Sequence, residues 1–247
     1  MTGIDYADTY DPDTDFDRFY TVATSRKIAA RISAGDRVLE LGCATGLMAS
    51  ETIDRSSPGS WLGVDRSESY LARARARGLA CATFVHGDLD AIDAIDAIDA
   101  IDDPAIGEQR YEHVLATNVL HELSDPEGFL RRCSGLLSAT GIIHLTLQNP
   151  NSIHRICALE MGYISSLAEI SERGNQWGTR ALWSADELVS LAHEAGLSVR
   201  VREGVMLKPV PNSVMNTLPG EVIEGFIRGA AHFPEACAMT YLELGND

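Results

Sequence analysis

Five short apolar runs punctuate the first 150 residues: 38–41, 61–64, 81–85, 111–116 and 141–147. Each is short and continuous rather than alternating, as in a strand covered on both faces. Between them, apolar positions return at helical spacing. Residues 21–32, 47–53, 67–77 and 126–137 are expected helices, and Gly78 ends the third. Ser124 with Glu127 matches a capping box for the fourth helix. Ser184 with Glu187 matches another, for a helix running to about residue 195 and stopped by Gly196. Residues 197–201 and 236–242 read as two final strands, with a short helix at 221–228 between them. Strands alternating with helices imply crossovers, so the expected fold is α/β, a mainly parallel sheet covered on both faces. One domain spans residues 1–247.

Three segments interrupt this rhythm. Residues 1–33 start rich in Asp and Tyr and run into the first helix, as an N-terminal helical arm or cap. Residues 149–180 are too long for a simple connection and are expected to form a lid. Residues 89–110 are low-complexity and acidic, with an Asp-Ala-Ile repeat that reads as a surface loop or helix extension.

Charge narrows the partners. The 247 residues carry a formal net charge of -16, of which seven come from Asp residues in 88–103. An acidic chain repels phosphate backbones, which disfavours nucleic acid and anionic membranes. There is no apolar run of about 18 residues, and the acidic start carries no apolar signal run, so a cytoplasmic protein is expected. The five cysteines are odd in number and none are spaced CxxC, which fits scattered small hydrophobes in a reducing compartment. No His and Asp set resembles a metal site, so no metal is expected.

The sharpest chemical signal is Val38-Leu39-Glu40-Leu41-Gly42-Cys43-Ala44-Thr45-Gly46, a buried strand entering a glycine turn before a helix. The missing Cβ atoms at Gly42 and Gly46 let backbone approach a ligand, and the helix start offers free amides. The spacing is GxxxG with Ala44 in the middle, against the GxGxxG of a dinucleotide fold, which argues against NAD or FAD. Asp65 ends the next strand, where an acidic residue accepts from ribose hydroxyls. Asp88-Leu89 follows the third strand and Thr117-Asn118 the fourth. The carboxyl ends of such strands share one crevice, so the four signals converge.

Through residues 37–147, and more loosely to the end, the chain resembles the class I S-adenosylmethionine-dependent methyltransferases. The resemblance implies a Rossmann-like seven-stranded sheet with its last strand antiparallel. It implies that Glu40, Gly42, Cys43, Ala44 and Gly46 surround the methionine part of the cofactor. Asp65 would take the ribose and Asp88 with Leu89 the adenine; Arg66 is a further candidate cofactor contact, and Asn118 is by its position a candidate to line the transfer site. Gln148–Arg155, Glu160–Ile164 and Leu207-Lys208-Pro209 are similar to segments of methyltransferases from bacterial sugar, polysaccharide and natural-product gene clusters. Relatives often carry Gly-His-Arg where this chain has Gly178-Thr179-Arg180.

An amine or hydroxyl acceptor must lose a proton, which makes His154 and His121 the candidate catalytic residues. Arg155, Arg180 and Lys208 are candidates to hold an acidic group of the acceptor. Tyr163, Trp177 and Trp183 are candidates for an apolar or cation-binding wall. Cys43 reads as a packing residue, and Arg26 as a possible contact to the cofactor carboxylate. The expected function is N- or O-methylation of a small molecule, a natural-product intermediate or sugar. The alternatives are methylation of a protein or peptide side chain, or a non-catalytic module that binds the cofactor. The arm and residues 205–235 offer a surface either for capping the site or for a homodimer.

Overall fold

Strand burial sets the architecture. In β1 (Arg37–Leu41), every residue after the first is buried, and β4 (Tyr111–Thr117) is nearly as apolar. Such strands need cover on both faces, which a sheet between two helix layers supplies. The computed structural model describes residues 10–90 and 110–246. Within them, β2 (Ser60–Asp65), β3 (Ala82–His86), β5 (Leu137–Gln148), β6 (Leu197–Val205) and β7 (Met239–Asn246) join β1 and β4 in one sheet. The order is β3-β2-β1-β4-β5-β7-β6. The first five strands are parallel, and β7 lies antiparallel to both neighbours. This is the expected seven-stranded sheet with its last strand reversed.

Nine α-helices among the described residues surround it: α1 (Arg18–Ala29), α2 (Leu47–Ile53), α3 (Glu68–Ala76), α4 (Pro126–Leu136), α5 (Ile153–Glu160), α6 (Glu172–Gln176), α7 (Ala185–Glu194), α8 (Asn212–Met215) and α9 (Gly220–Gly229). On one face, Phe129, Leu130 and Cys133 of α4 and Leu188 and Ala192 of α7 share a core with Leu39, Val114 and Leu145. On the other, Ile28, Met48, Leu71 and Ile223 pack with Val38, Trp61 and Leu115. None of these helices is long and apolar enough to cross a membrane.

A file of polar side chains crosses the sheet under α1. His113 Nε2 meets Asp36 Oδ2 at 3.1 Å, and His113 Nδ1 meets His144 Nε2 at 2.9 Å. His144 Nδ1 meets the Tyr241 hydroxyl at 2.8 Å, which donates to Glu243 Oε1 at 3.0 Å. Arg31 Nε closes the file on the same oxygen at 2.7 Å.

Several boundaries move. The Ser184–Glu187 capping box forms as expected. The one at Ser124 does not: Pro126 sits at the start of α4, so Asp125 is the cap and accepts from Gly128 N–H at 2.9 Å. Ser124 instead donates its N–H and hydroxyl to Asp90 Oδ1, both at 2.6 Å. β5 begins four residues early because Leu137 pairs with Tyr111 of β4, and β7 three residues late because its pairing with β5 starts at Met239, opposite Gln148. Of the acidic stretch 89–110, only Leu89, Asp90 and Arg110 belong to the described residues, so the Asp-Ala-Ile repeat lies outside them.

Candidate active site

The carboxyl ends of β1, β2, β3 and β4 open together onto a cavity of about 840 Å³. The turn after β1 forms its floor. Gly42 and Gly46 take positive φ, +84° and +70°, and Ala44 between them is also left-handed at +43°. That strained turn points Ala44 N–H at Asp65 Oδ2, 2.8 Å away. Asp65 Oδ1 accepts from Ser67 N–H at 2.9 Å, so the carboxylate is fixed by two backbone amides. Each oxygen keeps a lone pair for a ligand. Burial raises the Asp65 pKa above the usual carboxylate range.

Gly42 lines the cavity but Gly46 does not, and the two glycines make room for different neighbours. A Cβ on Gly42 would run into the Val119 side chain, which belongs to the loop after β4. A Cβ on Gly46 would sit 3.1 Å from both Ala74 and Phe84, inside the packing of α3 and β3. Gly46 lets α2 start close to its neighbours, and Gly42 lets two cofactor-facing loops touch.

Glu40 is 1% exposed yet borders the cavity. Among the described residues its side-chain donor is Trp61 Nε1 at 3.0 Å, and burial pushes its pKa up to about 8. A buried carboxyl with so little compensation suits a cationic ligand group. Cys43 is buried, and its thiol is pushed far up by that burial, so it stays neutral and serves packing. Asp88, Leu89, Arg66 and Asn118 also line the cavity, with Asn118 held left-handed at φ +59°. This set fits S-adenosylmethionine: a carboxyl beside an amide-rich turn for its amino acid end, then a fixed carboxylate at Asp65, then Asp88.

The rest of the wall comes from residues 149–180 and from the N-terminal arm. His154, Arg155 and Trp177 line it, as does Lys208 from the stretch after β6. His121 lines it from the turn after β4. Burial lowers the His121 pKa to about 4 and that of His154 to about 3, where Lys208 and Arg155 add repulsion. Both rings are therefore neutral at pH 7. Four candidate side chains fall elsewhere. Trp183 packs against the core that α4 and α7 share with the sheet. Tyr163 is 77% exposed and away from the wall. Arg180 is bound on the outside, donating to Glu122 O at 2.8 Å and facing Asp90. Arg26 likewise pairs with Glu224 at 2.8 Å and does not reach the cavity.

The arm caps the site, one of the two roles expected for it, but none of its lining residues was singled out from the sequence. Tyr10, Pro12, Asp17, Tyr20, Thr21 and Thr24 all line the cavity. Thr45 Oγ1, in the cofactor turn, donates to Asp13 Oδ1 at 2.7 Å. The concentration of Asp and Tyr before residue 21 was the available signal. It carries no periodicity from which a position could be read.

Comparison with known proteins agrees with this geometry. The family described as "Methyltransferase domain" matches residues 16–200. A "Ubiquinone biosynthesis O-methyltransferase" of Dinoroseobacter shibae is 28% identical over 176 residues, covering 71% of this chain and 65% of that relative's length. One of the same name from Marinobacter nauticus is 25% identical over 204 residues, 81% of each chain. The CcbJ methyltransferase of Streptomyces caelestis has the same fold, with a TM-score of 0.60 at 18% identity, over 93% of this chain and 96% of that one. The chain belongs to the methyltransferase-domain family, with the fold of a class I S-adenosylmethionine-dependent methyltransferase.

Proposed function

We propose that the protein transfers the methyl group of S-adenosylmethionine to a hydroxyl oxygen of a small molecule. The observation that carries this is the continuity of the cavity. It runs from the cofactor turn to walls built from the arm and residues 149–180. At about 840 Å³ it falls in the range of roughly 300–1,000 Å³ typical of small-molecule sites. A walled cavity favours a small acceptor over a polypeptide, which needs an open groove. The relatives named as O-methyltransferases favour oxygen over nitrogen.

When bound, S-adenosylmethionine supplies a methyl group on a cationic sulfur that leaves as a neutral thioether. The chain's residues then have three tasks. Glu40 and the Gly42–Ala44 turn hold the amino acid end, and Asp65 and Asp88 orient the nucleoside. The arm and residues 149–180, which would act as a lid, exclude water and hold the acceptor near the reacting carbon. His154 gives the acceptor hydroxyl a neutral imidazole to hydrogen-bond. With its pKa lowered to about 3, that ring orients a hydroxyl far better than it stores a proton.

Calorimetric titration with S-adenosylmethionine, S-adenosylhomocysteine and NAD tests the reading. The first two are expected to bind and NAD is not. Asp65→Ala is expected to weaken both by tenfold or more while the fold survives. Binding of NAD alone, or of none of the three, would refute it.

A further inference from the structure

Three residues other than glycine have positive φ among the described residues: Ala44, Asn118 and Met206. Backbone strain of this kind collects at functional sites, and the first two line the cofactor end of the cavity. The third does not line the cavity. Met206, fully buried, takes φ +57° directly after β6. Its carbonyl accepts from Ala238 N–H at 2.9 Å, and Leu207 N–H donates to Phe226 O at 3.0 Å. The kink is thus fixed from β7's approach and from α9, and two residues on it brings Lys208 to the cavity wall.

Lys208 is 9% exposed. The other Lys and Arg side chains on the wall are engaged. Arg66 pairs with Glu122, and Arg173 pairs with Asp15 at 2.8 Å. Arg155 donates to Leu167 O at 2.9 Å and Glu169 O at 2.6 Å, bracing its own segment. For Lys208, no hydrogen bond or ion pair is found among the described residues. The groups that face it are Asp17 and Asp15 of the arm, Arg173 of α6, and His154 of α5. Asp17 is already committed to Asn212 Nδ2 at 3.2 Å and to Arg173 at 3.8 Å. A buried ammonium open to a cavity, with its nearest carboxylates beyond ion-pair distance, is costly unless a ligand anion completes it.

We propose that the acceptor binds with a negatively charged oxygen against the Lys208 ammonium, so that this lysine selects anionic acceptors. The charge is either a fixed carboxylate or the acceptor hydroxyl itself. In the second case the hydroxyl proton passes to the buffer and Lys208 keeps its own three. The proposal rests on the methyltransferase reading above. Burial holds the Lys208 pKa down to about 8, so in the free protein the ammonium is lost, and with it the preference for anions, as pH rises past that value.

The test is binding to protein saturated with S-adenosylhomocysteine. Calorimetry first establishes that this cofactor product binds; failure there refutes the methyltransferase reading and not Lys208. The loaded protein is then titrated at pH 7 and pH 9.5 with 3-methoxybenzoate, with 3-methoxybenzamide as its uncharged counterpart, and at pH 5.5 with 4-nitrocatechol, whose absorbance reports ionisation. A fixed carboxylate predicts tenfold or tighter binding of the benzoate over the benzamide at pH 7, shrinking at pH 9.5. An ionised hydroxyl predicts the absorbance of the anion for bound 4-nitrocatechol below its free pKa. Lys208→Met is expected to abolish whichever effect is seen, and Lys208→Arg to restore part of it. Thermal melting separates a structural role, since Lys208→Met removes an uncompensated buried charge and should melt no lower than the parent. Absence of both effects, their survival in Lys208→Met, or a lower melting point for that variant with both effects unchanged overturns the proposal.

Discussion

At the scale of single residues, the polar file under α1 has an arithmetic of its own. Four links join Asp36, His113, His144, Tyr241 and Glu243. Two neutral imidazoles and one phenol bring three protons to them. Glu243 also accepts from Arg31, so Tyr241 donates to it, His144 donates through Nδ1 to Tyr241, and His113 donates through Nδ1 to His144. The link left without a proton is the outermost, His113 to Asp36. Burial keeps His113 below its usual pKa, so that link takes its proton only in acid. Tyr241 is the pivot, since it serves both neighbours and is 1% exposed. Tyr241→Phe is expected to cost about 1–3 kcal/mol by leaving buried Glu243 without its phenol donor and His144 Nδ1 without a partner. Urea denaturation reads the loss. S-adenosylhomocysteine affinity should not change, because Tyr241 is not on the cavity wall. An unmoved midpoint would mean that water or a ring shift replaces the hydroxyl.

At the scale of elements, the β1–turn–α2 unit shows why part of the site was legible. The strand is apolar because both faces are covered, and the turn needs glycine where φ is positive, so sequence and geometry share one cause. The Ser184 box was equally local and held, whereas the Ser124 reading failed because Pro126 settled the helix start one residue later. Tyr163 and Arg180 went astray for another reason. In residues 149–180 no period fixes which side chains turn inward, and Tyr163 follows the end of α5 at the left-handed Gly162, φ +71°. The Gly42 contact gives a test of the element itself. Gly42→Ala imposes a left-handed alanine, costing about 1–2 kcal/mol, and pushes Val119, the neighbour of Asn118. Both cofactor loops should shift, and S-adenosylmethionine affinity should fall tenfold or more by calorimetry. Gly46→Ala, which crowds Ala74 and Phe84 away from the cavity, should lower the melting point more than the affinity. Equal effects from the two would contradict this division of labour.

At the scale of the whole molecule, the arm ties the turn after β1 and α3 to the wall built from residues 149–180. Arg73 Nη2 of α3 bonds Asp11 Oδ1 at 2.6 Å and Asp13 Oδ2 at 2.8 Å, and Arg77 Nη2 bonds Asp13 Oδ1 at 2.7 Å. Arg77 Nε also donates to Thr45 O in the cofactor turn at 2.6 Å, and the Tyr70 hydroxyl donates to Tyr10 O at 2.7 Å. Across the cavity, Arg173 pairs with Asp15 and lies 4.0 Å from the centre of the Trp177 ring, which itself sits 4.6 Å from that of Tyr10. A ligand filling the cavity is therefore strapped in by contacts that are each weak. Exposed ion pairs contribute about 0.2–1 kcal/mol and are screened by salt. Their sum should appear in how fast product leaves. In the parent, dissociation of S-adenosylhomocysteine, followed by stopped-flow tryptophan fluorescence, is expected to quicken as salt is raised from low to high. Replacing Arg73 and Arg77 together by Ala should speed dissociation about 3–10-fold at low salt, equivalent to about 0.7–1.4 kcal/mol, and flatten the salt dependence. Arg26→Ala, which breaks the Glu224 pair away from the cavity, serves as the control and should leave both unchanged. A double variant that releases product at the parent's rate would show that the arm covers the site without holding it closed.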